Sequence, residues 1–320
     1  MATVALVGVI GWPQAWHEAL YGDVGFYRSV DGPAAHFTTA THSSLGAALA
    51  HALLVLVARD RLGHIVDIGC GRGELLGQLR ALDPHVGLTG VDVVPRPPGL
   101  DPSIAWLESP GGAELPEELG PLDHTLVFAH EWLDVVPCEV AEVDSTGVLR
   151  RRLVDPETGV EEWGGGLAPD ETAWVEAHWP AHSPGQRVEV GLRRDQAWAA
   201  LLARLRSGIA IAVDYGHRKG ERPDHGTLTA YREGAVVAPV PDGTCDLTAH
   251  VAMDSLDHDE LVDQRTMLHS LGLSGHHPPR ELASSDPAAY LRALTESSAV
   301  SALTARGSFG SFLWAVKRVG

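Results

Sequence analysis

The stretch Asp67-Ile-Gly69-Cys-Gly71-Arg-Gly73-Glu74 decides the fold. It includes the end of a short apolar run at 64–68, which has the length and flanks of a buried parallel strand, and a helix is predicted at 74–81. The glycines allow a tight turn and leave room for a ligand beside the backbone. No Gly-Lys-Ser/Thr follows, which excludes a P-loop, and Glu74 stands where a dinucleotide-binding turn needs a small residue. The turn therefore predicts a different kind of ligand site at the end of this strand.

Two carboxylates stand at the ends of neighbouring predicted strands. Asp67 ends the first strand, and Asp92, 25 residues later, lies in the second, predicted at 87–94. Asp67 would repel a diphosphate but attract S-adenosylmethionine (SAM), which carries a sulfonium and an ammonium group and whose carboxylate can lie near the helix N-terminus. Asp92 either accepts hydrogen bonds from both ribose hydroxyls or caps the following loop. We therefore predict SAM as the cofactor, with these residues in its site: Asp67, Gly69, Gly71, Gly73, Asp92 and Val93.

The rest of the chain alternates between predicted strands and helices. Helices are predicted at 45–61 and 195–206, and strands at 104–107, 125–129, 209–213 and 312–319. This alternation is typical of a doubly wound α/β sheet, whose ligands bind at the carboxyl ends of the strands. Turn sequences separate three further short strands at 140–144, 148–154 and 160–163, which indicates an inserted antiparallel meander.

Composition excludes several classes of protein. The net charge is −18, from 24 basic and 42 acidic residues, so nucleic acid is not an expected partner. The three cysteines are scattered, which favours a reducing cytoplasm, and His178 and His182 lack further ligands at metal-binding spacing, so no metal is expected. The longest apolar stretch, 45–58, is too short for a membrane span, and the N-terminus lacks the features of a signal peptide.

Several separated segments resemble the MidA-type SAM-dependent methyltransferases, relatives of the mitochondrial methyltransferase needed for complex I assembly. Besides the glycine turn, they are 19–27, 36–41, 130–137 (HEWLDVVP), 214–217 (DYGH), 226–232 and 246–251 (DLTAHV). The resemblance implies a class I methyltransferase fold, mostly parallel with an antiparallel terminal strand, and a protein arginine as the methyl acceptor. The family has Asn, Asp and Pro where this chain has His130, His36 and Thr41. In this fold the segments that carry these three residues lie beside the methyl group, so the substitutions would affect acceptor specificity more than cofactor binding.

Catalytic roles are expected next to the fourth and fifth predicted strands of the sheet. If the chain is helical after the fourth strand, Glu131 and Asp134 project from one face. Glu131 would then contact cofactor or acceptor, while Asp134 would hold the loop, hold the acceptor or cap a helix. Asp214 would bond either the acceptor or nearby backbone. His250 would act in acceptor binding or proton transfer, or would be a buried structural histidine.

Two further residues are assigned to the cofactor site, and the chain is divided into regions. Thr39 is expected in a lid over the cofactor, and His130 beside the cofactor with Glu131. The predicted regions are an N-terminal lid (1–45), a SAM-binding core (46–137, completed by 193–216 and 300–320), the inserted meander (138–192) and a helical acceptor-facing insertion (217–299).

The leading functional hypothesis is a cytoplasmic methyltransferase acting on a protein arginine. A small-molecule O- or N-methyltransferase is the first alternative, because His36, Thr41 and His130 depart from the family on the acceptor side. A SAM-binding assembly factor without turnover is the second. Glu74 disfavours a nicotinamide oxidoreductase. The sequence does not fix the acceptor, the number of methyl groups or the oligomeric state.

Overall fold

The computed structural model describes residues 8–28, 40–41 and 43–320. The helices in these residues are α1 (Trp12–Tyr21), α2 (Ser43–Asp60), α3 (Glu74–Leu82), α4 (Pro169–His178), α5 (Leu192–Leu202), α6 (Gln264–Ser270), α7 (Arg280–Ser285) and α8 (Pro287–Leu303). The strands are β1 (Ile10–Gly11), β2 (His64–Ile68), β3 (Gly87–Asp92), β4 (Ala105–Glu108), β5 (Thr125–His130), β6 (Glu139–Val143), β7 (Leu149–Val154), β8 (Glu161–Gly166), β9 (Arg187–Val190), β10 (Gly208–Asp214), β11 (Gly216–His217), β12 (Thr229–Arg232), β13 (Ala235–Val237), β14 (Asp246–Thr248), β15 (Val251–Ala252), β16 (Glu260–Asp263) and β17 (Leu313–Val319).

A seven-stranded sheet forms the centre of the molecule, in the order β16-β17-β10-β5-β2-β3-β4. The neighbours from β10 to β4 are parallel, whereas β17 runs antiparallel to both β10 and β16. All six residues of the central strand β5 are buried, because helices cover both faces of the sheet. The predicted α/β sheet with an antiparallel terminal strand is therefore present.

Alternate side chains of the strands enter two separate cores. Ile65 and Phe128 face a core formed with α2, α3, α6 and α8, while Val66 and Val127 face a core formed with α5. Strand order reverses between β2 and β5, since the chain runs outward to β3 and β4 before returning to β5. A crevice at the carboxyl ends of β2 and β5 follows from this reversal, and it is where such sheets bind ligands.

The inserted meander belongs to a second sheet that is larger than the sequence predicted. Strands β6, β7 and β8 are present, and β1 and β9 join them. Helix α4, which the sequence analysis did not predict, begins at Pro169, a favoured first position in a helix. The N-terminal segment is thus tied to the meander through β1, which pairs with Leu153 and Val154 of β7.

The prediction that 217–299 lies outside the cofactor sheet was wrong for part of that region. Strand β16 is the edge strand of the central sheet, and α6 and α8 pack into the core beneath it. With four half-exposed or exposed residues, β16 has no apolar alternation that would predict a strand. Strands β12 to β15 lie within 217–299, which the sequence predicted to be helical. None of the helices in the described residues combines the length and apolar character that crossing a bilayer requires.

Candidate active site

A cavity of about 420 Å³ opens at the carboxyl ends of β2, β3 and β5. This volume lies within the usual range for small-ligand sites. Most of the residues predicted for the site line it: Asp67, Gly69, Gly71, Asp92, Val93, His130, Glu131, Asp134 and His250. Two predicted residues, Gly73 and Asp214, are not among its lining residues. Thr39 and His36 lie outside the described residues.

The glycine turn uses backbone conformations that only glycine adopts without strain. Gly69, Gly71 and Gly73 have φ angles of 68°, 60° and 81°, in the left-handed region. Gly73 precedes the first residue of α3, and a Cβ there would lie 3.0 Å from Leu100 Cδ1. Gly73 therefore shapes the turn and does not line the cavity, and its contact with the cofactor stays a prediction.

Asp92, the last residue of the neighbouring strand β3, holds the glycine turn by hydrogen bonds. Its Oδ2 accepts a hydrogen bond from the backbone N–H of Gly71 at 2.7 Å, and its Oδ1 accepts one from that of Val94 at 3.3 Å. Burial raises the Asp92 pKa to about 6, although these backbone bonds act in the opposite direction. A carboxylate oxygen can accept more than one hydrogen bond, so both roles predicted for Asp92 are compatible with this geometry.

Asp67 lies deeper, at the end of β2, and its side chain is almost fully buried. Burial raises its pKa well above the ordinary value, and the negative charges of Asp92 and Glu74 raise it further. A cation bound among these carboxylates would relieve their repulsion. These acceptor groups therefore suit a ligand that is positively charged and carries hydroxyl groups, which fits SAM.

The segment after β5 is not helical, contrary to one expectation. Glu131 has a φ of +52°, unusual for a residue with a side chain, and the segment 131–137 turns irregularly. Asp214 Oδ2 accepts hydrogen bonds from the backbone N–H groups of Leu133 (3.1 Å) and Asp134 (3.2 Å), which holds the turn. Asp214 is 1% exposed, so it bonds nearby backbone, the second of the alternatives left open by the sequence. Its Oδ1 is buried without a hydrogen-bond partner among the described residues, and its catalytic role stays a prediction.

Asp134 is the centre of a buried hydroxyl cluster. Its Oδ2 accepts hydrogen bonds from Thr248 Oγ1 at 2.6 Å and from the hydroxyl of Tyr215. Its Oδ1 is buried without a hydrogen-bond partner among the described residues. Burial raises the Asp134 pKa, whereas the two hydroxyls lower it. Asp134 therefore does not cap a helix, and it retains one oxygen that can bind a donor.

A further buried carboxylate in the cavity, Asp246 on β14, was not predicted from the sequence. Its Oδ1 accepts a hydrogen bond from the Tyr27 hydroxyl at 2.7 Å. Burial raises its pKa well above the ordinary value, and the charges of Asp134 and Glu131 add to the effect. Asp246 opens the segment DLTAHV, in which the sequence analysis singled out only His250. The alternation of Asp246 and Thr248 about the buried Leu247 was the signal available in that segment.

His250 is an exposed residue at the cavity, not a buried structural histidine. Its ring meets the Tyr215 ring edge to face, with centroids 5.3 Å apart. Partial burial lowers its pKa, as does the positive charge of Arg194, so the ring is neutral at neutral pH. A neutral imidazole at this position is able to accept a proton.

His130 also lines the cavity, whose lining carries an excess of negative side chains. His130 Nδ1 lies 3.1 Å from Glu131 Oε1, and His130 Nε2 is buried without a hydrogen-bond partner among the described residues. Among the described residues, seven carboxylate side chains line the cavity, against one guanidinium, that of Arg72. The cavity therefore favours cationic ligands at more than one point.

A family model described as "Putative S-adenosyl-L-methionine-dependent methyltransferase" matches residues 77–273. The chain belongs to this family. The predicted cofactor, SAM, is the cofactor of the family, and the predicted enzyme class agrees with it. Among curated proteins, none matches the chain.

Two solved structures from Burkholderia thailandensis are similar to this methyltransferase-family chain. One is a superfamily member, described as a "likely methyl transferase", bound to S-adenosylhomocysteine. It is 21% identical to this chain, the match covers 97% of this chain and 87% of the other, and the TM-score is 0.75. The other, a native structure of a protein of the same superfamily, is 22% identical with the same coverage and a TM-score of 0.72. At these identities the likeness shows the fold alone.

The raised pKa of Asp92 makes SAM binding dependent on pH. The ionised carboxylate accepts ribose hydroxyl bonds better than the acid does, so affinity should fall as the pH drops through about 6. Asp92→Asn should weaken binding by about 1–3 kcal/mol at pH 8 and remove the step near pH 6. Isothermal titration calorimetry between pH 5 and 8 measures both. An unchanged affinity for the variant would show that the ribose is held elsewhere.

Proposed function

We propose that this chain is a MidA-type methyltransferase that transfers a methyl group from SAM to a nitrogen of a cationic acceptor, a protein arginine guanidinium. The observation that carries the proposal is the acidic end of the cavity, where Glu131, Asp134 and Asp246 lie together beside Tyr27 and Tyr215. A guanidinium has five N–H donors and a permanent charge, and it stacks on aromatic rings. These are the properties that the free carboxylate oxygen and the tyrosine rings complement.

In this proposal, one set of cavity residues binds SAM and another binds the methyl acceptor. Asp67, Asp92 and the glycine turn would hold SAM, which supplies an electrophilic methyl group when bound. The carboxylates beyond them would align the acceptor nitrogen with that group, and alignment accounts for much of the rate in such a displacement. Arginine arrives protonated, since its pKa is about 12.5–13.8. Asp134, through its unpartnered Oδ1, would receive the proton that the nitrogen loses, and Glu131 would share the positive charge.

The proposal is tested by incubating the pure protein with methyl-labelled SAM and a lysate of matched cells. We expect a labelled protein band that yields methylarginine on acid hydrolysis. Label in protein without methylarginine would exclude arginine but keep methyl transfer to a protein. Tight SAM binding with no transfer to any component would instead support a SAM-binding assembly factor.

A small-molecule acceptor is the second candidate, and one observation favours it. Two positions at which the chain departs from the family pattern, Thr41 and His130, both line the cavity. They are placed where they would contact an acceptor of different shape. Label appearing only in the low-mass fraction of the lysate would decide for this candidate.

The proposal includes a cytoplasmic location. Cys70, Cys138 and Cys245 are all buried free thiols, as expected in a reducing compartment. The net charge of −18 is unsuited to nucleic acid, so the acceptor is sought among proteins and small molecules.

A further inference from the structure

Arg194, on α5, is a fully buried guanidinium outside the cavity. It is 1% exposed, and no carboxylate of the described residues forms an ion pair with it. Burying a charge without an ion-pair partner is costly, and a structure keeps such a group only where hydrogen bonds compensate it. The groups to which Arg194 donates hydrogen bonds therefore indicate its role.

In the part of the chain that the structure describes, the side chain of Arg194 donates hydrogen bonds to four backbone carbonyl groups, which belong to the two segments that carry the site. Its Nη2 donates to the carbonyl of Asp134 at 2.7 Å, and its Nε to that of Val136 at 3.2 Å. Its Nη1 donates to the carbonyls of Ala249 (3.1 Å) and His250 (2.9 Å). One side chain thus joins the segment after β5 to the segment after β14. A direct bond between them, from the Ala249 N–H to the Asp134 carbonyl at 3.2 Å, completes the junction.

The segment after β5 is held from two sides by hydrogen bonds to buried side chains. Asp214 accepts hydrogen bonds from the N–H groups of Leu133 and Asp134, and Arg194 donates to the carbonyls of Asp134 and Val136. Hydrogen bonds to charged groups are stronger than neutral ones, so the irregular backbone is fixed from both directions. Such rigid support is what places a side chain for chemistry.

We propose that Arg194 is a positioning residue that aligns Asp134 with His250 for methyl transfer, while leaving SAM binding largely intact. Arg194 makes no hydrogen bond to the glycine turn or to Asp92. The inference rests on the proposed methyl transfer but not on arginine as the acceptor. The positive charge of Arg194 also lowers the pKa of Asp134, against the effect of burial, and so favours the ionised carboxylate.

The test compares Arg194→Met and Arg194→Lys with Arg193→Met, a matched control on the exposed face of the same helix. We expect Arg194→Met to bind SAM within about threefold of the wild type by calorimetry, and to transfer label to lysate acceptors about 100-fold more slowly. Arg194→Lys keeps the charge but has three donors on one atom, so it should recover only part of the rate. Arg193→Met should match the wild type in both measurements.

Hydrogen–deuterium exchange supplies a readout that needs no acceptor. In Arg194→Met the amides at 133–136 and 249–251 should exchange at least about tenfold faster, with the glycine turn unchanged. Unchanged protection there, or unchanged transfer in folded Arg194→Met, would overturn the inference. If Arg194→Met does not fold, Arg194→Lys decides the question by the same two measurements. If the wild type transfers no methyl group, the proposed function fails, while the exchange experiment still tests whether Arg194 joins the two segments.

Discussion

Replacing Asp134 by asparagine should lower the rate of methyl transfer by about 10²- to 10⁴-fold, the usual contribution of a positioned proton acceptor. The amide keeps the size of the side chain, and its oxygen can still accept the hydrogen bonds of Thr248 and Tyr215. It cannot accept a proton or balance the charge of a cationic acceptor. The loss should therefore appear in transfer of label and not in the affinity for SAM.

The control for this prediction is Asp23→Asn, the same change at an exposed position. It should leave transfer within a factor of about two, because surface substitutions away from partners have small effects. SAM affinity, measured by calorimetry for all three proteins, separates loss of chemistry from loss of the cofactor. If Asp134→Asn transferred label as fast as Asp23→Asn, the proton would have to leave by another route, and His250 would become the next residue to test.

The pH dependence of methyl transfer provides a second test of the role of Asp134. Burial raises the Asp134 pKa, so the carboxylate becomes protonated at a higher pH than an exposed aspartate would. Transfer should fall on the acid side as Asp134 takes up a proton, and the acid limb should be lost in Asp134→Asn. Rates measured between pH 5 and 9 under saturating SAM test this. Glu131, Arg194, Asp214 and Asp246 also interact electrostatically with Asp134, and none of them is changed in this variant.

The cofactor half of the site was predictable because its signals are local. The glycine turn and Asp67 lie within a few residues of each other, and Asp92 follows at the end of the next strand. In a parallel sheet, adjacent strands bring their carboxyl ends together, so spacing along the chain becomes proximity in space. No knowledge of distant contacts was needed.

The acceptor half depends on contacts between residues far apart in the sequence. The irregular turn at 131–137 is held by Asp214, about 80 positions later, which accepts hydrogen bonds from the N–H groups of Leu133 and Asp134. Arg194 and Asp246 acquire their roles only when α5 and β14 pack against that turn. Strands of three or four residues, such as β14 and β16, are too short for periodicity to indicate them. The sequence could therefore identify Glu131 and Asp134 but not their surroundings.

The largest loss of stability is expected from Trp16→Ala, at about 3–5 kcal/mol. Trp16 is fully buried and packs in a core with Leu20, Cys138 and Leu247, which joins α1 to the acceptor half of the site. Its indole N–H also donates to the Leu247 carbonyl at 3.1 Å. The substitution leaves a cavity and an unpaired carbonyl, and both costs add to the lost burial.

Trp163→Ala is the matched control for this prediction. Trp163 is 42% exposed and lies under Arg152, whose guanidinium carbon is 4.1 Å from the ring centroid, so its removal should cost no more than about 1 kcal/mol. Urea unfolding with linear extrapolation gives the free energy of unfolding for both variants. Equal losses would mean that α1 does not share a core with β14. A loss confined to Trp16→Ala would show that the core joining α1 to Leu247 of β14, between Asp246 and Thr248, contributes to the free energy of unfolding.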